Sequence, residues 1–172
     1  MAEFSPKFKE ALSLVQKPGR YTGGEPGCIY KDKSKVDVRM AFCFPDTYEI
    51  GMSFLGEKIL YDILNRHENW WCERAFMPWT DMKVQMERLD IPLYCLESKD
   101  PLTDFDIVGF SLEYELCYTN VLAMLRLSGI PLRTADRDER WPLIIAGGPC
   151  VCNAEPMADF FDVMQLSLIH IS

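Results

Sequence analysis

Three short segments carry residue types that could seat a ligand, and each follows an apolar run. Asp46-Thr47-Tyr48-Glu49-Ile50-Gly51 comes after Val36 to Phe44, Ser111-Leu112-Glu113 lies in the run that starts at Asp106, and Gly147-Gly148 follows Leu143 to Ala146. The aspartate and its loop could order one rim of a pocket. Ser111 offers a small donor or acceptor, and twin glycines let a bulky ligand lie against bare backbone. Each also has an ordinary structural role: Asp46 as a cap before a helix, Ser111 as a strand-end hydroxyl, Gly147-Gly148 as a tight turn. Their shared place at strand ends is what points to a site. Glu97, Asp100, Glu113 and Glu115, with Asp46 and Glu49, suggest a divalent-cation pocket of receiver type. A receiver needs its acceptor Asp at the end of a central strand, however, and Asp106 stands at a strand's start, so a solvated acidic rim is the simpler expectation.

Other chemistries find no footing. There is no G-x-G-x-x-G and no G-x-x-x-x-G-K-[ST], so a nucleotide phosphate has no recognisable cradle. The histidines are His67, mid-chain at a helix end, and His170, in the closing tail, so no Ser/His/Asp set can be assembled. His67 is expected at a helix C-terminus, interacting with the dipole. Seven cysteines occur without any C-x-x-C, which argues against zinc and for a reducing compartment. Cys43, Cys95 and Cys150 lie in apolar strand-like runs, where cysteine acts as a small hydrophobe. The tryptophans and methionines read as core filler.

The elements that must position these segments alternate between two periods. Val36 to Phe44, Asp106 to Tyr114 and Leu143 to Ala146 are near-continuous apolar strands, and Leu93 to Glu97 (LYCLE) reads as a shorter one. Met52 to Leu64 has helical spacing, Thr80 can cap a helix bearing Met82, Met86 and Leu89, and a third helix runs from about Glu115 to Ser128. Gly129 and Pro131 end it. Strands alternating with helices imply βαβ units, and continuous apolar strands imply a parallel sheet covered on both faces. The fold expected is α/β: a flavodoxin-like, Rossmann-like open parallel sheet of five strands, with its ligand beyond the strands' carboxyl ends. Residues 1–35 read as an N-terminal extension with one short helix inside Phe4 to Lys17, broken by Pro18-Gly19. Residues 36–164 are the α/β domain, and 165–172 are a tail.

Composition bounds the partners. Hydrophobic residues make up 48% and charged residues 26%, which suits a globular chain and excludes a disordered or fibrous one. Eighteen basic against 26 acidic residues give a net charge of −8, so direct nucleic-acid binding is not expected. No stretch approaches a bilayer span, and the charged N-terminus does not read as a signal peptide, which places the protein in the cytoplasm.

Asp46-x-Tyr48-x-x-Gly51, Ser111-Leu112 and Gly147-Gly148 resemble the D-x-H-x-x-G, S-x-L and G-G pattern of cobalamin-binding domains. Longer blocks, among them KPGRYTGGE, FCFPDTYEIGMSFLGEKILYDILN, WCERAFMPW, DPLTDFDIVGFSLEYELCYTN and PLIIAGGPCVCNAEPMADFFD, resemble the amino-terminal region of a family of radical S-adenosylmethionine (SAM) proteins. The resemblance implies a cobalamin-binding-like domain ahead of a radical SAM barrel in cis. It implies cofactor contacts from Asp46, Tyr48, Gly51, Ser111, Leu112, Gly147 and Gly148. Tyr48 stands where the pattern has its cobalt-coordinating His, so cobalamin would bind without His ligation, if at all. The alternative is a domain that has lost the cofactor and acts as a docking or substrate-presenting module. The C-x-x-x-C-x-x-C motif is absent from these 172 residues, so the 4Fe-4S cluster and S-adenosylmethionine belong to the barrel and this piece is inactive alone. The closing QLSLIHIS resembles adapter read-through and is read as non-native.

Overall fold

Five apolar runs pair edge to edge in the computed structural model, which describes residues 4–166. β1 (Val38–Phe44), β2 (Trp70–Phe76), β3 (Ile107–Ser111), β4 (Leu143–Gly147) and β5 (Val163–Met164) form one all-parallel sheet in the order β2-β1-β3-β4-β5. Strand order reverses between β1 and β3, which is the flavodoxin-like arrangement the sequence predicts. The helices are α1 (Pro6–Ser13), α2 (Tyr48–Gly51), α3 (Leu55–Asn65), α4 (Thr80–Leu89) and α5 (Tyr118–Leu127), with 3-10 turns between them.

Four details differ from the sequence reading. WWCERAF is a sheet strand, β2, although Glu73 and Arg74 interrupt its apolar character. LYCLE is not: it makes a single antiparallel bridge, Tyr94 to Pro101, and its N–H groups go to Leu127, Asp100 and Arg74 carbonyls. Thr80 is the first helical residue of α4, with Trp79 at the cap, and Asp81 accepts the N–H of Met82 and of Gln16. At the end of α3 the cation is Lys31, whose ammonium donates to the carbonyls of Asn65, His67 and Trp70, while His67 packs on the Trp70 ring. The tail read as non-native lies, from 167 onward, outside the described residues, as does His170.

The N-terminal segment packs into the same core as the sheet. Phe8, Ala11, Val15 and Tyr21 are buried beside Tyr94, Met82 and Met86. Phe8 meets the Tyr94 ring edge-on at 4.9 Å, and the Tyr94 hydroxyl donates to the Tyr21 carbonyl.

The two faces of the sheet are covered unequally. Ala41, Cys43, Val108, Phe110, Ile144 and Ala146 share one face by register and are buried under α4, α5 and the turns at 149–160. On the other face α3 lays Tyr61 and Leu64 over Phe42 and Cys72. Met40 reaches across Gly109, where a Cβ would stand 2.4 Å from its terminal methyl. Beyond that point Leu143 and Val163 are 45% and 47% exposed, and Ile107 and Ile145 beside them are only partly buried. Parallel sheets are ordinarily covered on both sides.

Candidate functional site

The strand order brings the predicted segments to one edge. Ser111 and Gly147 are register partners at the carboxyl ends of β3 and β4, and Asp46 follows the end of β1. The switch point between β1 and β3 is crossed by side chains. The Tyr114 hydroxyl donates to the Asp46 carboxylate, and Asn120 Nδ2 donates to the Pro45 carbonyl at 3.0 Å. The Asp46 bond, then partial burial, pushes the Tyr114 phenol up to about 12, so it stays a donor.

The remaining members face elsewhere. The Tyr48 hydroxyl donates to Glu25 Oε1 at 2.8 Å, and its ring meets Phe76 edge-on at 5.6 Å. Burial and the Glu25 carboxylate push this phenol well above its ordinary range. Gly51 is a packing glycine, because a Cβ there would stand 2.2 Å from the Phe76 ring. Leu112 is fully buried, its N–H donating to the Gly147 carbonyl and its own carbonyl accepting from Cys150. Ser111 donates to Glu113 at 2.5 Å. Gly148 sits at φ +106°, and a Cβ would come within 2.7 Å of the Leu112 carbonyl oxygen, so only glycine passes there without strain. A Cβ at Gly147 would meet nothing within 4 Å.

As a seat for a corrin this arrangement fits poorly. The Asp46, Ser111 and Tyr48 side chains are each engaged by a protein partner, Leu112 is sealed in the core, and the crevice is bridged by Tyr114. Gly147 alone looks into open space.

The acidic residues do not gather into one rim. Glu97 is 2% exposed and accepts from Arg74 Nε at 2.7 Å and from the Arg74 N–H at 2.8 Å. Asp100 accepts from Arg39 at 2.7 Å, near the amino end of β1, and pairs with Lys33. Glu49 accepts from Arg20 at 2.8 Å. Among the described residues no three His, Cys, Asp or Glu side chains are grouped to hold a metal ion.

Sequence reasoning missed a buried charge network beneath α3. Arg74 reaches from β2 to Glu97, to Glu25 at 3.3 Å and to the Cys28 sulfur at 3.0 Å, and lies over the Tyr61 ring. Burial opposes ionisation of Glu25, yet hydrogen bonds from Cys28 and Tyr48 hold its carboxyl below the ordinary range. On the opposite face of the sheet, level with Ala41, Arg39 pairs with fully buried Glu73 at 2.6 Å. The available signal was Glu73-Arg74 itself: two charges inside a strand must find partners. Beside this network lies an open cleft of about 290 Å³, lined by Glu57, Tyr61, Arg74, Met52 and the Pro26-Gly27 turn.

The family described as radical SAM proteins, N-terminal, matches residues 56–167, more than half of the chain. An uncharacterized protein of Methanocaldococcus jannaschii is 27% identical over 137 residues, covering 79% of this chain and 25% of its own length. The chain thus spans about a quarter of that relative. No solved structure matches it. No helix among the described residues is long and apolar enough to cross a membrane.

Proposed function

The chain belongs to the family of radical SAM proteins, N-terminal, and from that premise we propose that it is a docking module for a radical SAM barrel carried in cis. The observation that carries the reading is the uncovered sheet face. Leu143 and Val163 are nearly half exposed there, flanked by Ile107 and Ile145, in a parallel sheet whose opposite face is buried at Ala41, Cys43, Val108, Phe110, Ile144 and Ala146. Apolar surface of this kind is covered at a favourable ~25 cal/mol per Å². The relative's length leaves ample chain to do it, since three quarters of that protein lies outside the match. Radical chemistry, with its iron–sulfur cluster and S-adenosylmethionine, belongs in this reading to the barrel.

The rival reading makes the domain a cobalamin carrier without His ligation. In its favour Asp46, Ser111 and Gly147 share one edge and Gly147 is open. Against it stand the partners already taken by Asp46, Ser111 and Tyr48.

Co-expression with the radical SAM portion of the same longer protein tests the docking reading. The two parts are expected to purify together, and Leu143→Glu with Val163→Glu should separate them while leaving the chain's own melting temperature unchanged. Association untouched by both substitutions would overturn it. Incubation with hydroxocobalamin followed by desalting tests the rival: a retained corrin absorbance that Gly147→Trp abolishes would establish it instead.

A further inference from the structure

Glu57 sits on the first turn of α3 with its side chain turned to the sheet, and it is 2% exposed. Neither carboxyl oxygen has a hydrogen-bond partner. Oε2 lies 3.3 Å from where a Cβ on Gly51 would be, so the backbone closes in on one side. On another side is the cleft of about 290 Å³, whose walls include Arg74, Tyr61 and Met52. A buried carboxyl without donor or counter-ion is costly, and such groups are kept where something completes them.

We propose that this cleft is a binding site for a cationic group, an ammonium or guanidinium, with Glu57 as its counter-ion. This goes beyond the docking reading and stands or falls separately from it. Charge accounting selects the class. The one buried cation nearby, Arg74, is already matched by Glu97 at 2.7 Å and Glu25 at 3.3 Å. An entering anion would meet that acidic excess, whereas an entering cation meets it and gains Glu57. Lys58 and Asp62 at the mouth are of opposite sign and bias neither way. Besides Arg74 and Lys58, the charged group that acts on Glu57 is Glu97, which pushes it further up; the Cys43 and Cys72 thiols that feel Glu57, and the Tyr61 phenol on the cleft wall, are uncharged because burial pushes them up. Burial likewise pushes the empty Glu57 carboxyl up to about 8, against the pull of Arg74. Near pH 7 it therefore holds a proton that a bound cation displaces, the carboxyl O–H bond breaking and the proton passing to buffer. The Tyr61 ring beside Arg74 shows that this wall already accepts a cation's flat face, with the guanidinium carbon 4.6 Å from the ring centre.

Calorimetry of the 172-residue chain with butylammonium and butylguanidinium at pH 7, in buffers of different ionisation enthalpy, tests it. The expected result is saturable one-to-one binding that releases a proton and weakens roughly thirtyfold or more in Glu57→Gln. Binding without proton release, binding indifferent to Glu57→Gln, or no saturation by ~10 mM overturns it. Carbon NMR of the wild-type Glu57 carboxyl needs no variant: the amine must convert it from acid to carboxylate at pH 7, and an unmoved resonance is equally fatal. To distinguish a free amine from a Lys or Arg of the docked barrel, the radical SAM portion is added. Displacement of butylammonium with the same carboxylate signal assigns the cation to the barrel, and undisturbed butylammonium binding assigns it to a small molecule.

Discussion

Under α3, the β1–β2 half of the sheet buries Phe42 and Cys72 and encloses a network of paired charges, while the β3–β5 half shows the same face with Leu143 and Val163 nearly half exposed. In the first half Arg74 and Lys31 are matched across the N-terminal segment and residues 97–100 to Glu25, Glu97 and the α3 carbonyls, and Glu57 is left without a hydrogen-bond partner. The second half has one face finished by α5 and the turns at 149–160 and the other left to water. A parallel sheet in this condition is what the proposed docking to a barrel would cover. The contrast also separates two kinds of glycine at one edge, since Gly148 is wedged against backbone and its neighbour Gly147 faces open space.

Substitutions can break or sharpen this contrast. In the covered half, Arg74→Ala strands the buried Glu97 carboxylate and should cost about 3–5 kcal/mol in urea unfolding. Glu57→Gln acts through pH. The folded carboxyl titrates near 8 against about 4.5 when exposed, so between those values the folded chain holds a proton the unfolded chain has released. Wild-type stability should therefore fall as pH rises from about 4.5 to 8, by about 4–5 kcal/mol, and the variant's should not. Parallel profiles would mean that Glu57 is an ordinary carboxylate. In the open half, Gly148→Ala should cost about 1–3 kcal/mol from strain at positive φ, and Gly147→Ala under ~0.5 kcal/mol. Tyr114→Phe should cost about 1 kcal/mol by removing the bond that bridges the switch point, read by thermal melting. Smallest of all, Leu143→Glu should leave the chain's own stability within ~0.5 kcal/mol.

Much of this was legible from residue pattern. Val36 to Phe44, Asp106 to Tyr114 and Leu143 to Ala146 are apolar runs that became β1, β3 and β4, and helical spacing found α3, α4 and α5. β2 escaped because Glu73 and Arg74 break its apolar run, and their partners, Arg39 and Glu97, are known only once the chain is folded. LYCLE misled because burial demands the same residues of a buried turn as of a strand. At the site, strand-end logic brought Asp46, Ser111 and Gly147 to one edge. It could not foresee that Tyr48 would turn to Glu25 or that Tyr114 would hold Asp46, because both contacts join segments distant in sequence. Glu57 lies in a stretch that shows only helical spacing in the sequence, and the fold alone shows it facing inward.

The docking claim rests most directly on whether the open face becomes covered. A cysteine introduced as Val163→Cys can be followed by its rate of reaction with a water-soluble maleimide, resolved by peptide mass from the exposed native Cys152. The rate should be fast in the isolated chain and at least ~10-fold slower when the radical SAM portion is joined to it. Equal rates in both forms would contradict the account.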